Sequence, residues 1–355
     1  MEVEKIYLKN FRNHSEKEVI FKKGLNIITG ENAVGKTTIA EAIYFFAIGK
    51  SIRTKNNKEL IKINEKYTYF FIEYEKNQRK EIIEIYLDEK NDKKIFINKK
   101  EIKKIYDLIS NVYVIFFFPD EIKLIKEGPQ ERRRFMDICI SQYDKNYFKK
   151  LIIFNNLLKQ RNAVLKEKTT KEEKKKLLYV WDKQIVEVET YIVLKRRNFI
   201  NFINEEIKKF HSLITENKEE IEIYYETNFT KEDINELKEE IKQLKEESFE
   251  KDLINQYTNI GIHRDDIEIK INGTDIRKYG SQGQQRTATL SLKLSEAIFL
   301  EKTTQEKPVI ILDDVLSELD KKRQNQLLKI LKNYQTIITA TSVDDIDEFN
   351  EIKII

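Results

Sequence analysis

Residues 30–38 read Gly30-Glu31-Asn32-Ala33-Val34-Gly35-Lys36-Thr37-Thr38, which fits the pattern G-x-x-x-x-G-K-[ST] at every defined position. The mostly apolar run before it, 25–29, predicts a buried strand, and the apolar spacing of 39–47 predicts a helix after it. In such a turn the glycines let consecutive N–H groups face phosphate oxygens, Lys36 reaches the β- and γ-phosphates, and the Thr37 hydroxyl binds Mg²⁺. We therefore predict that this loop holds a nucleoside triphosphate; the alternative is a chance glycine-rich turn.

A second part of the predicted site lies near the other end of the chain. Residues 309–312 form a continuous apolar run that ends in Asp313 and Asp314. A buried strand beside the phosphate-binding strand commonly supplies the carboxylate that holds Mg²⁺. We assign that role to Asp313, and we expect Asp314 to orient or deprotonate the attacking water. The alternative is that both carboxylates only end a strand and begin a turn.

Composition limits the classes of protein that fit. The chain has 355 residues, enough for about two domains. Its 65 basic and 61 acidic residues give a formal net charge of +4, so nucleic-acid binding would have to come from local basic patches. The longest apolar run, 112–118, is shorter than the ~20 residues of a membrane span. A charged N-terminus and a single cysteine, Cys139, predict a cytoplasmic protein with no intrachain disulfide.

The placement of glycine and proline predicts a helical insertion. No glycine occurs in 129–260, and no proline occurs in 130–307. Either residue destabilises the interior of a helix, so their absence over such a length favours continuous helices. Apolar residues at steps of three and four in 178–199 and 234–244 favour the same structure. We therefore predict a compact arm of antiparallel helices.

The segments on either side of this arm have strand patterns. Apolar residues alternate or run together in 6–21, 67–74, 81–87, 94–97, 267–271, 309–312 and 336–340. We therefore predict an α/β fold whose head is built from both ends of the chain. Residues 1–118 form its first half, 119–255 form the helical arm, and 256–355 form its second half.

Two further motifs flank the acidic strand. Residues 280–287 read Gly280-Ser281-Gln282-Gly283-Gln284-Gln285-Arg286-Thr287, and residues 317–320 read Ser317-Glu318-Leu319-Asp320. This order, with Lys36 and Asp313 near opposite chain ends, resembles the ABC-type ATPases, whose Leu-Ser-Gly-Gly-Gln signature precedes the acidic strand and whose D-loop follows it. The inserted arm is similar to that of the Smc-like repair ATPases. The resemblance implies an ABC-type ATPase head with ATP and Mg²⁺ as cofactors.

Several blocks, in order along the chain, resemble the RecF family of bacterial recombination mediators. They are Phe11-Arg12-Asn13-His14, Phe118-Pro119, Gly128-Pro129, Arg132-Arg133-Arg134-Phe135-Met136-Asp137, His263-Arg264-Asp265-Asp266, residues 281–287 and residues 312–320. The resemblance implies an ATP-dependent DNA-binding protein of recombinational repair and replication-fork maintenance. It implies RecO and RecR as partners that help load RecA at single-strand gaps. The implied DNA is duplex, gapped, or a single-strand/duplex junction.

The resemblance also implies a dimer. In ABC-type proteins the signature, here Ser281, Gly283 and Gln284, closes on the γ-phosphate held by a second subunit. Ser317 and Asp320 would belong to the D-loop of the same interface. The chain would therefore form an ATP-dependent homodimer, although Ser281 taken alone also fits a helix N-cap.

The chain departs from the broader ABC pattern at three points. Gln282 replaces the first signature glycine, Asp314 replaces the usual glutamate, and Thr339-Ala340-Thr341-Ser342 stands where a switch histidine is expected. Each change predicts weaker general-base assistance. We therefore expect a weak, DNA-linked ATPase in which ATP binding, rather than turnover, closes the dimer.

Arg12 and the run of three arginines at 132–134 each have more than one interpretation. The resemblance places Arg12 near the nucleotide, although an exposed loop arginine fits the sequence as well. It makes Arg132, Arg133 and Arg134 candidates for DNA contact, whereas a charge cluster of this kind also fits a solvated helix start. The block at 263–266 has no assigned role.

Two other classes of protein share some of these motifs. Another Smc-like chromosome or repair ATPase has the same motif order, but a zinc-hook protein needs Cys-x-x-Cys and a long-arm protein needs many more heptads. An ABC transporter ATPase subunit docks its membrane partners through a small helical subdomain, whereas the arm predicted here is large.

Overall fold

The computed structural model describes residues 1–31, 34–316, 319–340 and 350–353. The chain divides into two compact units. The first comprises Met1–Ile122, Ser212–Asn217 and Thr289–Ile355, and the second comprises Lys123–His211 and Lys218–Ala288. The boundaries expected from the sequence stay a prediction; they placed residues 256–288 with the head, whereas contacts group these residues with the second unit.

Strands predominate in the first third of the chain, and helices predominate in the middle. The strands are β1 (Glu2–Phe11), β2 (His14–Ile20), β3 (Leu25–Thr29), β4 (Tyr67–Lys76), β5 (Arg79–Asp88), β6 (Lys93–Ile97), β7 (Lys100–Ile102), β8 (Val114–Phe117), β9 (Ile221–Glu226), β10 (Asp266–Ile271), β11 (Thr274–Asp275), β12 (Val309–Asp313), β13 (Thr336–Ala340) and β14 (Asn350–Lys353). The α-helices are α1 (Lys36–Ile48), α2 (Lys123–Lys126), α3 (Pro129–Tyr143), α4 (Lys145–Lys166), α5 (Lys171–Thr215), α6 (Ile234–Glu247), α7 (Phe249–Asn255), α8 (Ile276–Tyr279), α9 (Gln282–Thr304) and α10 (Lys321–Leu331). Within the described ranges, every helix is too short or too polar to cross a lipid bilayer.

The first unit contains a five-stranded parallel sheet in the order β14-β3-β13-β12-β8. All five residues of β3 and of β12 are buried, as expected for a parallel sheet that is covered on both faces. The strands predicted at 25–29, 309–312 and 336–340 are confirmed. Because the strands run parallel, the loop after β3 and the carboxylates at the end of β12 reach the same edge of the sheet.

The first unit also contains a six-stranded antiparallel sheet in the order β2-β1-β4-β5-β6-β7. Its inward side chains and those of the parallel sheet share one hydrophobic core with α1. Residues 38–47 of α1 are all buried, which explains why this helix is apolar on every side. The helix that begins at the phosphate loop is therefore held on more than one face.

The second unit combines helices with a three-stranded sheet in the order β11-β10-β9. The predicted arm helices are confirmed at α4, α5, α6 and α7, and the predicted apolar stripe on α5 is buried at Leu178, Ile185, Ile192 and Phe199. The arm expected from the sequence is mostly helical, and the structure adds one strand that was not predicted, β9, which pairs with β10. Buried Ile221 and Ile223 alternate with partly exposed residues, which is the pattern of a strand. This alternation determined the local structure here, although the segment lacks the glycine and proline that disfavour a helix.

Buried arginines organise the polar interior of the second unit. The Arg196 guanidinium donates to Asp265 at 2.6 Å, to Asp137 at 2.9 Å and to the Tyr147 hydroxyl at 3.0 Å. Arg196 is 2% exposed and Asp265 is 1% exposed, so each charge depends on the other for its solvation. Arg161 forms a second group of this kind, with Asp182 and Asp252 both at 2.6 Å.

Replacing Arg196 with methionine should lower the free energy of unfolding by about 3–5 kcal/mol, because it leaves buried carboxylates without their cation. The matched control is Arg134→Met, since Arg134 is 47% exposed and pairs with Glu131 one helical turn away. The control should change stability by less than about 1 kcal/mol. Urea unfolding followed by circular dichroism gives both values, and equal losses for the two variants would contradict the role of Arg196.

Candidate nucleotide-binding site

The phosphate loop joins the end of β3 to the start of α1, as predicted. Gly35 is the N-cap of α1 with φ +104°, and it has no side chain that could cap the helix. The first N–H groups of α1 and the positive end of its dipole therefore favour an anion at this point. Gly30, Glu31, Val34 and residues 35–38 lie within the described structure, whereas the predicted phosphate-loop residues Asn32 and Ala33 lie outside the described residues.

Lys36 is held by the loop itself. Its ammonium donates to the carbonyl oxygens of Gly30 at 2.6 Å and Glu31 at 2.8 Å. These bonds keep the ammonium beside the loop and at the N-terminus of α1. A triphosphate is a stronger acceptor than two neutral carbonyls, so it would take over these donors when it binds.

Asp313, Thr37 and Thr339 meet at the edge of the parallel sheet. One carboxylate oxygen of Asp313, Oδ1, accepts from the Thr37 hydroxyl at 2.9 Å and from the Thr339 hydroxyl at 2.6 Å. Asp313 is 6% exposed, so its carboxylate is fixed in place. Hard oxygen donors from one carboxylate and one hydroxyl are what Mg²⁺ takes from a protein when phosphates supply further ligands. The residues present therefore fit a Mg²⁺–nucleotide site.

Thr339 is a member of this group that sequence analysis missed. In the sequence it stands within the segment 339–342, where a switch histidine is expected. Its hydroxyl bonds to Asp313 and also accepts from the backbone N–H of Asp314 at 3.1 Å. The available signal was its position at the end of β13, the strand between β3 and β12. Thr341 and Ser342, which follow it, lie outside the described residues.

Asp314 follows β12 in the left-handed region, with φ +55°. A non-glycine residue there is strained, although aspartate tolerates it better than most residues do. Its side chain is exposed, in contrast to that of Asp313. The two adjacent carboxylates therefore have different surroundings, which agrees with separate roles in metal binding and water activation.

The turn between β1 and β2 packs against the phosphate loop. The Asn13 side-chain oxygen accepts from the Thr38 hydroxyl at 3.2 Å, and His14 Nε2 lies 3.3 Å from the Gly35 carbonyl oxygen. A Cβ on Gly35 would come within 2.4 Å of His14 Nε2, so the close approach requires glycine as much as the backbone angle does. Burial lowers the pKa of His14, so the ring is neutral at pH 7 and its Nε2–H can donate to that carbonyl.

Arg12 is bound by a buried carboxylate on α1. Its guanidinium donates to Glu41 at 2.6 and 3.1 Å and to the Glu59 carbonyl oxygen at 2.8 Å. Glu41 is fully buried, and the Ser51 hydroxyl also donates to it. Sequence analysis missed Glu41, although a lone carboxylate among the apolar residues of 39–47 was a usable signal. The nucleotide contact of Arg12 stays a prediction.

The signature segment begins α9 in the second unit. The Ser281 hydroxyl accepts from the Gln284 N–H at 3.2 Å, and the Gln284 side-chain oxygen accepts from the Ser281 N–H at 2.9 Å. This reciprocal pair is a capping box, so the N-cap interpretation of Ser281 is confirmed within one copy of the chain. Within the described part of the chain, a Cβ on Gly283 would meet only the Ser281 hydroxyl oxygen, at 3.9 Å.

The D-loop is described only in part. Asp320 caps α10 by accepting from the Arg323 N–H at 2.9 Å, and its carboxylate is exposed. Ser317, the other D-loop residue named from the sequence, lies outside the described residues.

The three candidate DNA contacts differ sharply in their surroundings. Arg132 is 3% exposed and is bound by both oxygens of Asp266, at 2.6 and 2.9 Å. Arg133 donates to the carbonyl oxygen of Asp265 at 2.7 Å. Arg132 is therefore ruled out as a candidate for DNA contact, because its charge is buried and neutralised. For the half-exposed Arg134, DNA contact stays a prediction. The same bonds account for Asp265 and Asp266, which had no assigned role.

The fold and the site define an ATPase head of the ABC and Smc class. A family model described as AAA domain matches residues 5–257. The Smc head domain from Pyrococcus furiosus, which is 19% identical with a TM-score of 0.56 over 96% of this chain and 90% of that chain, shares the fold.

More similar proteins narrow the class to one family. The DNA replication and repair protein RecF of Agathobacter rectalis is 42% identical over 345 residues, which are 97% of this chain and 93% of that protein. RecF of Lachnoclostridium phytofermentans is 39% identical over 346 residues, 97% of this chain and 94% of that protein. A solved structure of the recombination mediator protein RecF-ATPrS in the RecFOR pathway has a TM-score of 0.91 at 36% identity, over 99% of this chain and 95% of that chain. The chain belongs to the RecF family of DNA replication and repair proteins.

Replacing Gly35 with alanine should weaken ATP binding by more than about tenfold, because the added Cβ displaces His14 and distorts the loop. The control is Gly24→Ala. Gly24 also has a positive φ, +76°, but a Cβ there meets no described atom within 4 Å. Both variants carry backbone strain, so isothermal titration with ATP separates strain from crowding. Equal ATP affinities for the two variants would contradict the steric account.

Proposed function

We propose that this chain is an ATP-dependent DNA-binding protein of recombinational repair and replication-fork maintenance. Two copies close around ATP on DNA, and slow hydrolysis later releases them. The protein acts in the cytoplasm with RecO and RecR to help load RecA at single-strand gaps. The observation that carries this proposal is the pairing of Thr37 with Asp313, which assembles a nucleotide site from the two ends of the chain.

Each copy supplies one half of a composite ATP site. Lys36 and the N-terminus of α1 would bind the phosphates, and Thr37 and Asp313 would hold Mg²⁺. When bound, Mg²⁺ neutralises charge on the phosphoryl oxygens. The Thr339 hydroxyl donates to Asp313 at 2.6 Å, so this carboxylate is oriented before a nucleotide and its metal would arrive.

The signature segment supplies the other half to a second copy. Gly283 has no packing reason to be glycine within one copy, since a Cβ there would meet only an atom 3.9 Å away among the described residues. A glycine in the first turn of a helix also weakens that helix. Close approach of the nucleotide held by a second copy gives this glycine a function. Ser281 is exposed at the same turn, where its hydroxyl and the helix N-terminus suit a γ-phosphate.

The proposed slow hydrolysis of ATP is explained by Asp314, the residue that follows the proposed metal ligand Asp313. Asp314 has a side chain one methylene shorter than the glutamate usual at this position. It is also fixed to a strained φ of +55° by the bond from its N–H to Thr339. Both features restrict how far its carboxylate can reach toward a water. ATP binding therefore sets the dimeric state, and hydrolysis acts as a timer.

We infer DNA binding and the partner proteins from the family to which the chain belongs. A similar solved structure is that of a recombination mediator in the RecFOR pathway, and its likeness covers 99% of this chain. The net charge of +4 is too small to attract DNA over the whole surface, so contact falls to exposed basic side chains such as Arg134.

Lys36→Ala and Asp314→Asn should separate ATP binding from hydrolysis. Lys36→Ala removes the cation that holds the phosphates, so it should abolish ATP-induced dimerisation. Asp314→Asn preserves size and every phosphate contact, so it should dimerise with ATP and stay dimeric longer than wild type. Sedimentation velocity with and without ATP, in the presence of duplex or single-stranded DNA, measures both.

A monomeric Asp314→Asn protein with saturating ATP would contradict the proposed timer. Wild-type protein that neither dimerises with ATP nor binds either DNA would contradict the proposed function itself. Repeating the DNA titrations at several salt concentrations counts the phosphates that are engaged.

A further inference from the structure

The outer face of the six-stranded sheet is aromatic, although the inner face already supplies the core. Inward residues of β4, such as Phe70 and Ile72, are fully buried, and the alternate residues point outward and are half-buried. We call the outward rings the aromatic platform; it consists of Tyr7, Tyr67, Tyr69, Phe71, Tyr86 and Phe96. An antiparallel sheet with one solvated face normally carries polar residues there. The aromatic platform therefore has a purpose other than folding.

The rings of the aromatic platform contact one another across strands. Tyr7 and Phe71 stack with centroids 5.2 Å apart at 18°, and Tyr67 and Tyr86 stack at 5.4 Å and 23°. Tyr69 lies 6.2 Å from both Tyr7 and Phe71. Stacked rings on a sheet are pre-ordered, so a partner that covers them loses little conformational freedom.

The charges on this face are mainly negative, although the chain as a whole has a net charge of +4. Strand register places eight carboxylates and four ammonium groups on the same face as the rings. They are Glu2, Glu16, Glu18, Glu73, Glu75, Glu84, Asp88 and Glu101, with Lys5, Lys9, Lys80 and Lys94. The Tyr7 hydroxyl donates to Glu16 at 2.8 Å and the Tyr69 hydroxyl donates to Glu84 at 2.7 Å. Carboxylates therefore lie between the rings as well as around them.

This charge pattern disfavours the binding of a nucleic acid and favours the binding of a protein. Proteins that stack bases on aromatic residues also line the path with positive charge, because phosphates follow every base. Here a nucleic acid backbone would meet carboxylates. A guanidinium or ammonium group, by contrast, can lie on a tyrosine ring and pair with a neighbouring carboxylate at the same time.

Lys5 already binds in this way within the sheet. Its Nζ lies 5.3 Å from the centroid of Phe71, 3.3 Å from Glu73 and 3.8 Å from Glu18. The face is therefore chemically suited to cations. At ~4.8 Å per strand, the width from β2 to β6 is about 20 Å, which suits the centre of a standard protein interface.

We propose that the aromatic platform is the docking surface for a partner protein that presents arginine or lysine side chains. The inference rests on the proposed function for the partners to be tested, which are RecO and RecR. Tyrosine rings would supply most of the contact area, and the carboxylates would set the charge preference.

The test compares a platform variant with a matched control. Tyr7→Ala/Phe71→Ala removes two half-buried stacked rings and leaves the inner core unchanged. Tyr224→Ala is the control. Tyr224 lies on β9 of the three-stranded sheet and is 42% exposed, and its hydroxyl also donates to a glutamate, Glu222, at 2.8 Å. Full-length proteins are immobilised, and the affinities of purified RecO and RecR are measured separately at low and high salt.

The platform variant should bind one of the two partners at least about tenfold more weakly, whereas Tyr224→Ala should bind both as wild type does. The charge-reversal variant Glu18→Lys/Glu84→Lys should bind the same partner more weakly, and this binding should no longer depend on salt concentration. ATP-induced dimerisation and DNA affinity should be unchanged in all variants, which shows that they are folded.

Three results would overturn the inference, and they differ in what else they affect. Unchanged affinity of both partners for the platform and charge-reversal variants rejects the platform alone. Weaker DNA binding by Tyr7→Ala/Phe71→Ala, with stronger binding by Glu18→Lys/Glu84→Lys, would make the platform a nucleic-acid surface. Wild-type protein that binds neither RecO nor RecR would reject the partner assignment of the proposed function and this inference with it.

Discussion

One carboxylate oxygen, Oδ1 of Asp313, connects the two ends of the chain at the nucleotide site. It accepts from Thr37 at the start of α1 and from Thr339 at the end of β13. The two hydroxyls belong to residues far apart in sequence, so the bonds form only when the parallel sheet has its correct strand order. Burying this carboxylate, which is 6% exposed, without these donors would destabilise the folded protein. The arrangement therefore links folding of the sheet to assembly of the site.

Contacts from outside the phosphate loop and from its own backbone hold the loop in place. The β1–β2 turn brings His14 and Asn13 against the loop, and Gly35 leaves room for them. Glu41 holds Arg12 on the other side of that turn. The loop's own carbonyls hold Lys36. A site prepared in this way would lose little freedom on binding ATP, which would leave more of the binding energy for the proposed closure of a dimer.

Local patterns were sufficient to predict much of the fold. The strand–loop–helix around Lys36, the acidic strand before Asp313 and the helices α4 to α7 each carry their signal in consecutive residues. The strand β9 was missed because its pairing with β10 joins segments about forty residues apart. The pairing of Arg132 with Asp266 was also missed, since a run of three arginines does not indicate which one turns inward.

The same limit applies to the candidate site and the aromatic platform. Lys36, Thr37 and Asp313 were predicted because motif spacing encodes them, whereas Thr339 and Glu41 act through contacts that only the folded chain creates. The platform depends on register across four strands, because alternation within β4 alone does not show which rings meet those of β1 and β5.

The central claim is that each ATP site is shared between two copies of the chain. ATP hydrolysis by an equimolar mixture of Lys36→Ala and Gly283→Val proteins tests it most directly. Gly283→Val adds bulk where a single copy has room among its described residues, so the variant should fold and bind ATP but fail to close on a second copy. The account predicts no hydrolysis by either variant alone and measurable hydrolysis by the mixture, in which one complete site can form. Hydrolysis at the wild-type rate by Gly283→Val alone would contradict it.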